Sequence, residues 1–192
     1  MPIEHKNITD PDNHEPKGIS TAVTDTIYVA DGIGGGSWER SGMSDHAEMA
    51  ITNNATATAV TAAVDATLNT DTDYTKITAG WASTHLSGIT FNVDELVAAV
   101  DGDYKIDFWA TVKIPLNNNF IGIKYAINDT APYSLQKIIS QSVTANDYRN
   151  LFASAIVTLS ATNTVSIYLA GTKTDNLVIE EGGMQMTLLH AN

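Results

Sequence analysis

This 192-residue chain has no cysteine, only ten lysines and arginines, and no long apolar run. Each absence removes a class of function. Without thiols there are no disulfide staples, no thiolate nucleophile and no cysteine-based zinc site. The same lack leans towards assembly inside a reducing cell. Twenty-two acidic residues against ten basic ones leave a net charge of −12, and nucleic-acid binding by counterion release needs clustered positive charge. No nucleic-acid partner is therefore expected, and the acidity reads as a solubility device. No stretch reaches the roughly eighteen apolar residues of a membrane span. Met1-Pro2-Ile3-Glu4-His5 lacks the basic and apolar segments of a signal peptide, so no membrane is expected as a partner.

The chain divides into two parts. Met1–Arg40 carries Asp10-Pro11, Glu15-Pro16 and the run Gly32-Ile33-Gly34-Gly35-Gly36, without helical or sustained strand periodicity. Its prolines favour extended backbone, and only Thr26–Ala30 has the makings of a short strand. Fully extended, 36 residues would reach about 120 Å. Ile3, Ile8, Ile27, Tyr28 and Trp38 make this segment too apolar for a solvating tail. It reads as an anchoring arm over residues 1–40, with Ile3, Ile8, Pro11, His14, Pro16, Ile27, Tyr28 and Trp38 as the docking side chains.

Residues 41–192 read as a β-domain. In Tyr104–Ile114 the apolar Tyr104, Ile106, Phe108, Ala110, Val112 and Ile114 alternate with Lys105, Asp107, Trp109, Thr111 and Lys113. That is a strand with one wet face, stopped by Pro115. Ile121–Ile127 repeats the pattern, and further strands are expected at Leu135–Ser140, Leu151–Leu159, Thr164–Ala170, Leu177–Glu180 and Met184–His190, with Gly182-Gly183 as punctuation. The Thr/Ala alternation of Ile51–Val60 and the segment Tyr74–Ala79 also suit strands. Short strands at this spacing predict an all-β jelly-roll sandwich.

No motif demands catalysis, and neither catalytic residues nor a cofactor are expected. Asn69–Asp73 begins like a calcium loop, but Tyr74 and Gly80 stand where the loop needs Gly and Glu. It reads as a polar turn. Asp101, Asp103, Glu180 and Glu181 read as solvated turn charges. His5, His14, His46, His85 and His190 lack ligand spacing, so no metal is expected. Gly32–Gly36 is not followed by the Gly-Lys-Ser/Thr of a phosphate loop. Trp109, on the wet face of its strand, and Tyr168 are the candidate subunit-interface anchors. Tyr133 and Tyr148, beside polar loops, are the candidate glycan-stacking residues.

The layout of Gly102–Ile106, Ala155–Leu159, Thr164–Leu169 and the closing Met184–Leu189 resembles the jelly-roll family of tumour necrosis factor and the globular heads of complement's first component. That resemblance implies a compact homotrimer. Asp10–Gly18, Ile27–Gly32, Gly35–Trp38 and Met49–Val60 resemble virion proteins of tailed phages. This second resemblance implies a trimeric structural protein without catalytic residues: a capsid decoration (cement or head-fibre) protein docked on the major capsid protein or other virion subunits, or a tail appendage. The expected location is the virion surface, after assembly in the host cytoplasm. The alternative reading is an appendage that binds host-surface glycan.

Overall fold

A computed structural model describes residues 26–30, 36–40, 45–130 and 138–191, with side chains described for 45–130 and 139–191. The chain forms two compact units, Met1–Met43 and Ser44–Asn192. The docking residues Ile3, Ile8, Pro11, His14 and Pro16 lie outside the described residues, as does Tyr133.

In the first unit, β1 (Thr26–Ala30) pairs antiparallel with β2 (Gly36–Arg40), setting Tyr28 opposite Trp38. The strand at Thr26–Ala30 was legible. Its partner was not, because Gly36-Ser37-Trp38-Glu39-Arg40 lacks apolar alternation and follows a glycine run. The docking candidates Ile27, Tyr28 and Trp38 therefore sit on one hairpin.

The second unit is a jelly-roll sandwich of two antiparallel sheets. Its strands are β3 (His46–Ile51), β4 (Ala57–Val60), β5 (Thr75–Lys76), β6 (Trp81–Ser87), β7 (Thr90–Asn92), β8 (Glu95–Val97), β9 (Gly102–Ile114), β10 (Phe120–Ile127), β11 (Ile138–Gln141), β12 (Asp147–Leu159), β13 (Thr164–Gly171) and β14 (Asp175–Ala191). One sheet runs β12-β9-β14-β3-β6, with β4 also on β14; the other runs β11-β10-β13-β8-β7, with β5 also on β13. Among the described residues there is no α-helix, only a 3-10 turn at Asp71–Asp73. Among these residues no helix is long and apolar enough to cross a membrane.

Strand β9 shows why the sandwich forms. Tyr104, Ile106, Phe108, Val112 and Ile114 are all buried, while the intervening residues face outward. On the facing sheet Ile121, Ile123, Val165, Ile167 and Leu169 close the core. A period of two puts every such residue on one side of the pleat, and each fully buried large side chain is worth about 1.5–3 kcal/mol.

Several strands depart from the sequence expectation. The two strands expected at Leu177–Glu180 and Met184–His190 are one 17-residue strand, β14. Gly182 and Gly183 lie inside it, opposite Ala110 and Trp109. They admit close neighbours: a Cβ on Gly182 would stand 2.8 Å from the Trp109 carbonyl oxygen. The irregularities sit on either side of them, as register shifts between Ile179 and Glu181 and between Leu188 and His190. The Thr/Ala run is not one strand either. Asn54 folds back, its side-chain amide donating to the Ile179 carbonyl at 3.2 Å and its Oδ1 accepting from the Thr56 amide at 2.9 Å, so β4 begins only at Ala57. Strand β12 starts at Asp147, earlier than the apolar pattern suggests. The segment expected as a strand at Tyr74–Ala79 shrinks to the two residues of β5.

Strand β10 is covered on both faces. Gly122, Lys124 and Ala126 point away from the core and are nevertheless buried. Part of their cover is a strap, residues 61–74. Leu68 and Tyr74 pack there against Ala170, with Tyr168 at the margin.

Candidate functional site

The outer face of the β12-β9-β14-β3-β6 sheet carries the exposed aromatic side chains of the domain's longest strands. Phe152 of β12 stands directly opposite Trp109 of β9. Trp109 is in turn opposite Gly183, Gly183 opposite Ala50, and Ala50 opposite Ala82. One apolar row thus crosses five strands. A Cβ on Gly183 would fall 2.2 Å from the Trp109 ring, so the indole lies flat across β14 in the space the glycine leaves. Trp109 remains 38% exposed, Tyr148 48%, Phe152 60% and Ile156 67%.

Polar side chains frame this row. The Ser154 hydroxyl donates to Asp107 at 2.6 Å, and Lys105 bridges to the same carboxylate at 2.7 Å. Partial burial pushes the Asp107 carboxyl up, but the hydrogen bonds from Lys105 and Ser154 and the Lys105 charge hold it below the usual carboxylate range. The Thr158 hydroxyl donates to Asp103 at 2.6 Å, and that of Thr111 to Asn150 at 2.9 Å. Tyr148 donates to Glu180 at 3.2 Å, with the Lys113 ammonium 6.0 Å from its ring centre. Trp109 and Tyr148 therefore share one face, and Phe152 and Ile156 belong to it as well. The sequence signal for these last two was present, at alternate positions of a strand whose other face is apolar. Both were hidden because an apolar residue is read as core first.

Tyr168 lies elsewhere. It is on the outward face of β13, in the opposite sheet, and is partly buried against the strap residues. Its hydroxyl donates to Asp129 Oδ1 at 3.1 Å, and Ser166 donates to the same oxygen at 2.8 Å. Burial and the Asp129 charge both raise the Tyr168 phenol above its ordinary range. Trp109 and Tyr168 point away from the two sides of the sandwich, so one flat interface cannot hold both.

Beside Tyr168, the Lys76 ammonium gathers three carboxylates: Glu95 at 2.5 Å, Asp129 at 2.8 Å and Asp94 at 3.3 Å. Burial alone would lower the lysine, yet the hydrogen bonds to Asp129 and Glu95 and the charges of Glu95 and Asp94 hold it above the ordinary lysine range. Among the described residues no group of three or more His, Cys, Asp or Glu is arranged to hold a metal ion. Asp71, from the calcium-like segment, pairs instead with Lys124. Asp101 accepts from the Ala161 amide at 2.6 Å.

No family model and no curated protein sequence matches this chain. Among solved structures, Eiger, a tumour necrosis factor from S. frugiperda, aligns with a TM-score of 0.54 at 11% identity, over 78% of this chain and 94% of its own. Murine APRIL at pH 5.0 aligns with a TM-score of 0.50 at 10% identity, over 76% of this chain and 99% of its own. At such identities the likeness is one of fold: this is a jelly-roll sandwich of the tumour necrosis factor type.

Proposed function

We propose that this chain is a non-enzymatic structural protein of a phage virion. The β-domain assembles as a homotrimer through the outer face of the β12-β9-β14-β3-β6 sheet. The N-terminal arm docks on the major capsid protein, making the molecule a decoration (cement or head-fibre) protein at the virion surface. The observation that carries the assembly reading is the exposed row of Phe152 and Trp109 with Ile156 and Tyr148 nearby. Completing the burial of these half-exposed side chains is worth about 1–2 kcal/mol each, against an association cost of about 4–15 kcal/mol. The patch is therefore a core of the contact that its polar frame must extend. The virion reading rests on the likeness of Asp10–Gly18, Ile27–Gly32 and Met49–Val60 to phage proteins.

The test is native mass spectrometry of the full chain and of Phe152→Asp. A trimer for the first and a monomer for the second is the expected result. A monomeric parent chain at tens of micromolar would sink the assembly reading. For the arm, deletion of residues 2–36 should leave a folded trimer that no longer joins particles; normal incorporation would refute docking by the arm.

A second reading has one specific support. Tyr148 presents an exposed ring with Glu180 and Lys113 beside it, a combination that suits stacking on a host-surface glycan ring. Binding on a glycan array that Tyr148→Ala abolishes would favour this appendage reading.

A further inference from the structure

Lys124 sits on the outward face of β10, beneath the strap. Its side chain is wholly buried, whereas that of Asp71 is 36% exposed. The Lys124 Nζ lies 2.5 Å from Asp71 Oδ1 and 3.4 Å from the Asn69 carbonyl oxygen. The Tyr74 ring closes over the amino group, with its centre 4.6 Å away. We propose that Lys124 and Asp71 condense into an intramolecular isopeptide bond, a covalent staple between the strap and the sheet.

Three features of the site favour this bond. The first is approach. With nitrogen and oxygen this close, the carboxyl carbon is at most one C–O bond, about 1.2 Å, further from the nitrogen. Groups held so near each other react at an effective molarity of about 10⁵–10⁸ M. The second is solvent. In water an ammonium and a carboxylate are preferred to an amide because each ion is well hydrated. Under the strap the Lys124 end of the pair has no such hydration, and its pairing with Asp71 must offset the desolvation of the ammonium. A neutral amide does not carry that cost. The third is an exit: Asp71 reaches the surface, so the released water can leave without passing through the core.

The atoms balance without an added reagent. One proton passes from the Lys124 ammonium to the Asp71 carboxylate, giving an amine and a carboxylic acid. The nitrogen lone pair attacks Cγ. The bond from Cγ to the protonated oxygen then breaks, and a second nitrogen proton leaves with that hydroxyl as water. A cation and an anion become one secondary amide and one water, so the net charge is unchanged.

Lys76 touches Glu95 just as closely but differs in two ways. Its ammonium is shared with Asp129 and Asp94, which hold it charged, and it keeps contact with solvent.

The experiment is the denatured intact mass of the full chain after prolonged incubation at neutral pH, followed by peptide mapping. The expected result is a chain one water lighter than its sequence, with a branched peptide joining Lys124 to Asp71. Lys124→Met keeps the apolar stem under the strap, and Asp71→Ala removes the acyl partner. Each should have its full sequence mass, with circular dichroism confirming the β-fold. A parent chain at full sequence mass overturns the proposal, because the pair is then an ion pair only. A loss of water that persists in Lys124→Met also overturns it, since that marks a succinimide, for example at Asp101-Gly102. The bond stands apart from the assembly reading, and neither outcome depends on oligomeric state.

Discussion

Gly183 is chosen for what lies on top of it. A methyl group there would meet the Trp109 ring at 2.2 Å, so Gly183→Ala must lift the indole off β14. Overpacking of this kind typically costs about 1–3 kcal/mol. The expected outcome is a lower Tm with a red-shifted tryptophan emission. In a Trp109→Ala background the same substitution should cost much less, as a double-mutant cycle would show. The sequence alone points the other way at this position, because paired glycines are a turn signal. Only the cross-strand partner explains them, and a partner 74 residues away in the register is not visible in a local pattern. Lys76 makes a second residue-scale prediction. Asp129 is held below the ordinary carboxylate range: burial opposes this, but the Lys76 and Ser166 hydrogen bonds and the Lys76 charge prevail. A depressed carboxyl contributes stability above its unfolded pKa, about 3.9, and loses it as pH falls through the folded value. Lys76 is raised, so its contribution is present below about 10.4 and disappears as pH rises through its folded value. Lys76→Met should therefore bring the Asp129 titration, followed by NMR, back towards the ordinary range, and its cost in stability should be largest near neutral pH and shrink as pH falls through the carboxylate range.

At the scale of elements, the strands with one wet face were the most legible. In β9 every expected core position is buried and every expected outward one is not. The strap was invisible. Residues 61–74 have no periodicity, and their structure comes from single anchors: Leu68 at φ +54°, the Asp65 side chain accepting from Thr67 and Asn69, and the Tyr74 hydroxyl donating to the Leu68 carbonyl at 3.0 Å. The double coverage of β10 was hidden with it, since Gly122-Lys124-Ala126 looks like a wet face. Leu68 is the strap's apolar plug. Leu68→Ala should cost about 2–5 kcal/mol if the strap stays closed over the cavity. Hydrogen exchange should rise across residues 61–74 while β9 and β12 keep their protection, which would identify the strap as its own cooperative unit.

At the scale of the whole molecule, charge and assembly oppose one another. Each copy carries a net charge of −12, so three copies repel, and the repulsion is screened over about 10 Å at 0.1 M salt. The proposed trimer should tighten as salt rises from about 10 mM to 150 mM, a range over which the screening length falls severalfold. Sedimentation at several ionic strengths reads this directly; an assembly that loosens with salt would instead be held by opposite charges. The jelly roll was legible from strand spacing and alternation. Which outer face is exposed depends on what the strap covers, and that lies beyond any local pattern.

The position of β14 has a consequence for biosynthesis. It is the last strand of the domain, yet it sits between β9 on one side and β3 and β4 on the other. A ribosome delivers strands in order, so β3, β4 and β9 emerge with bare edges facing a gap that only the final seventeen-residue strand can fill. Unpaired edges are sites of aggregation. Until β14 has emerged, the half-built sheet must be kept apart from its neighbours on the same polysome, and chains stopped after Gly171 should accumulate as insoluble material rather than as a smaller folded domain.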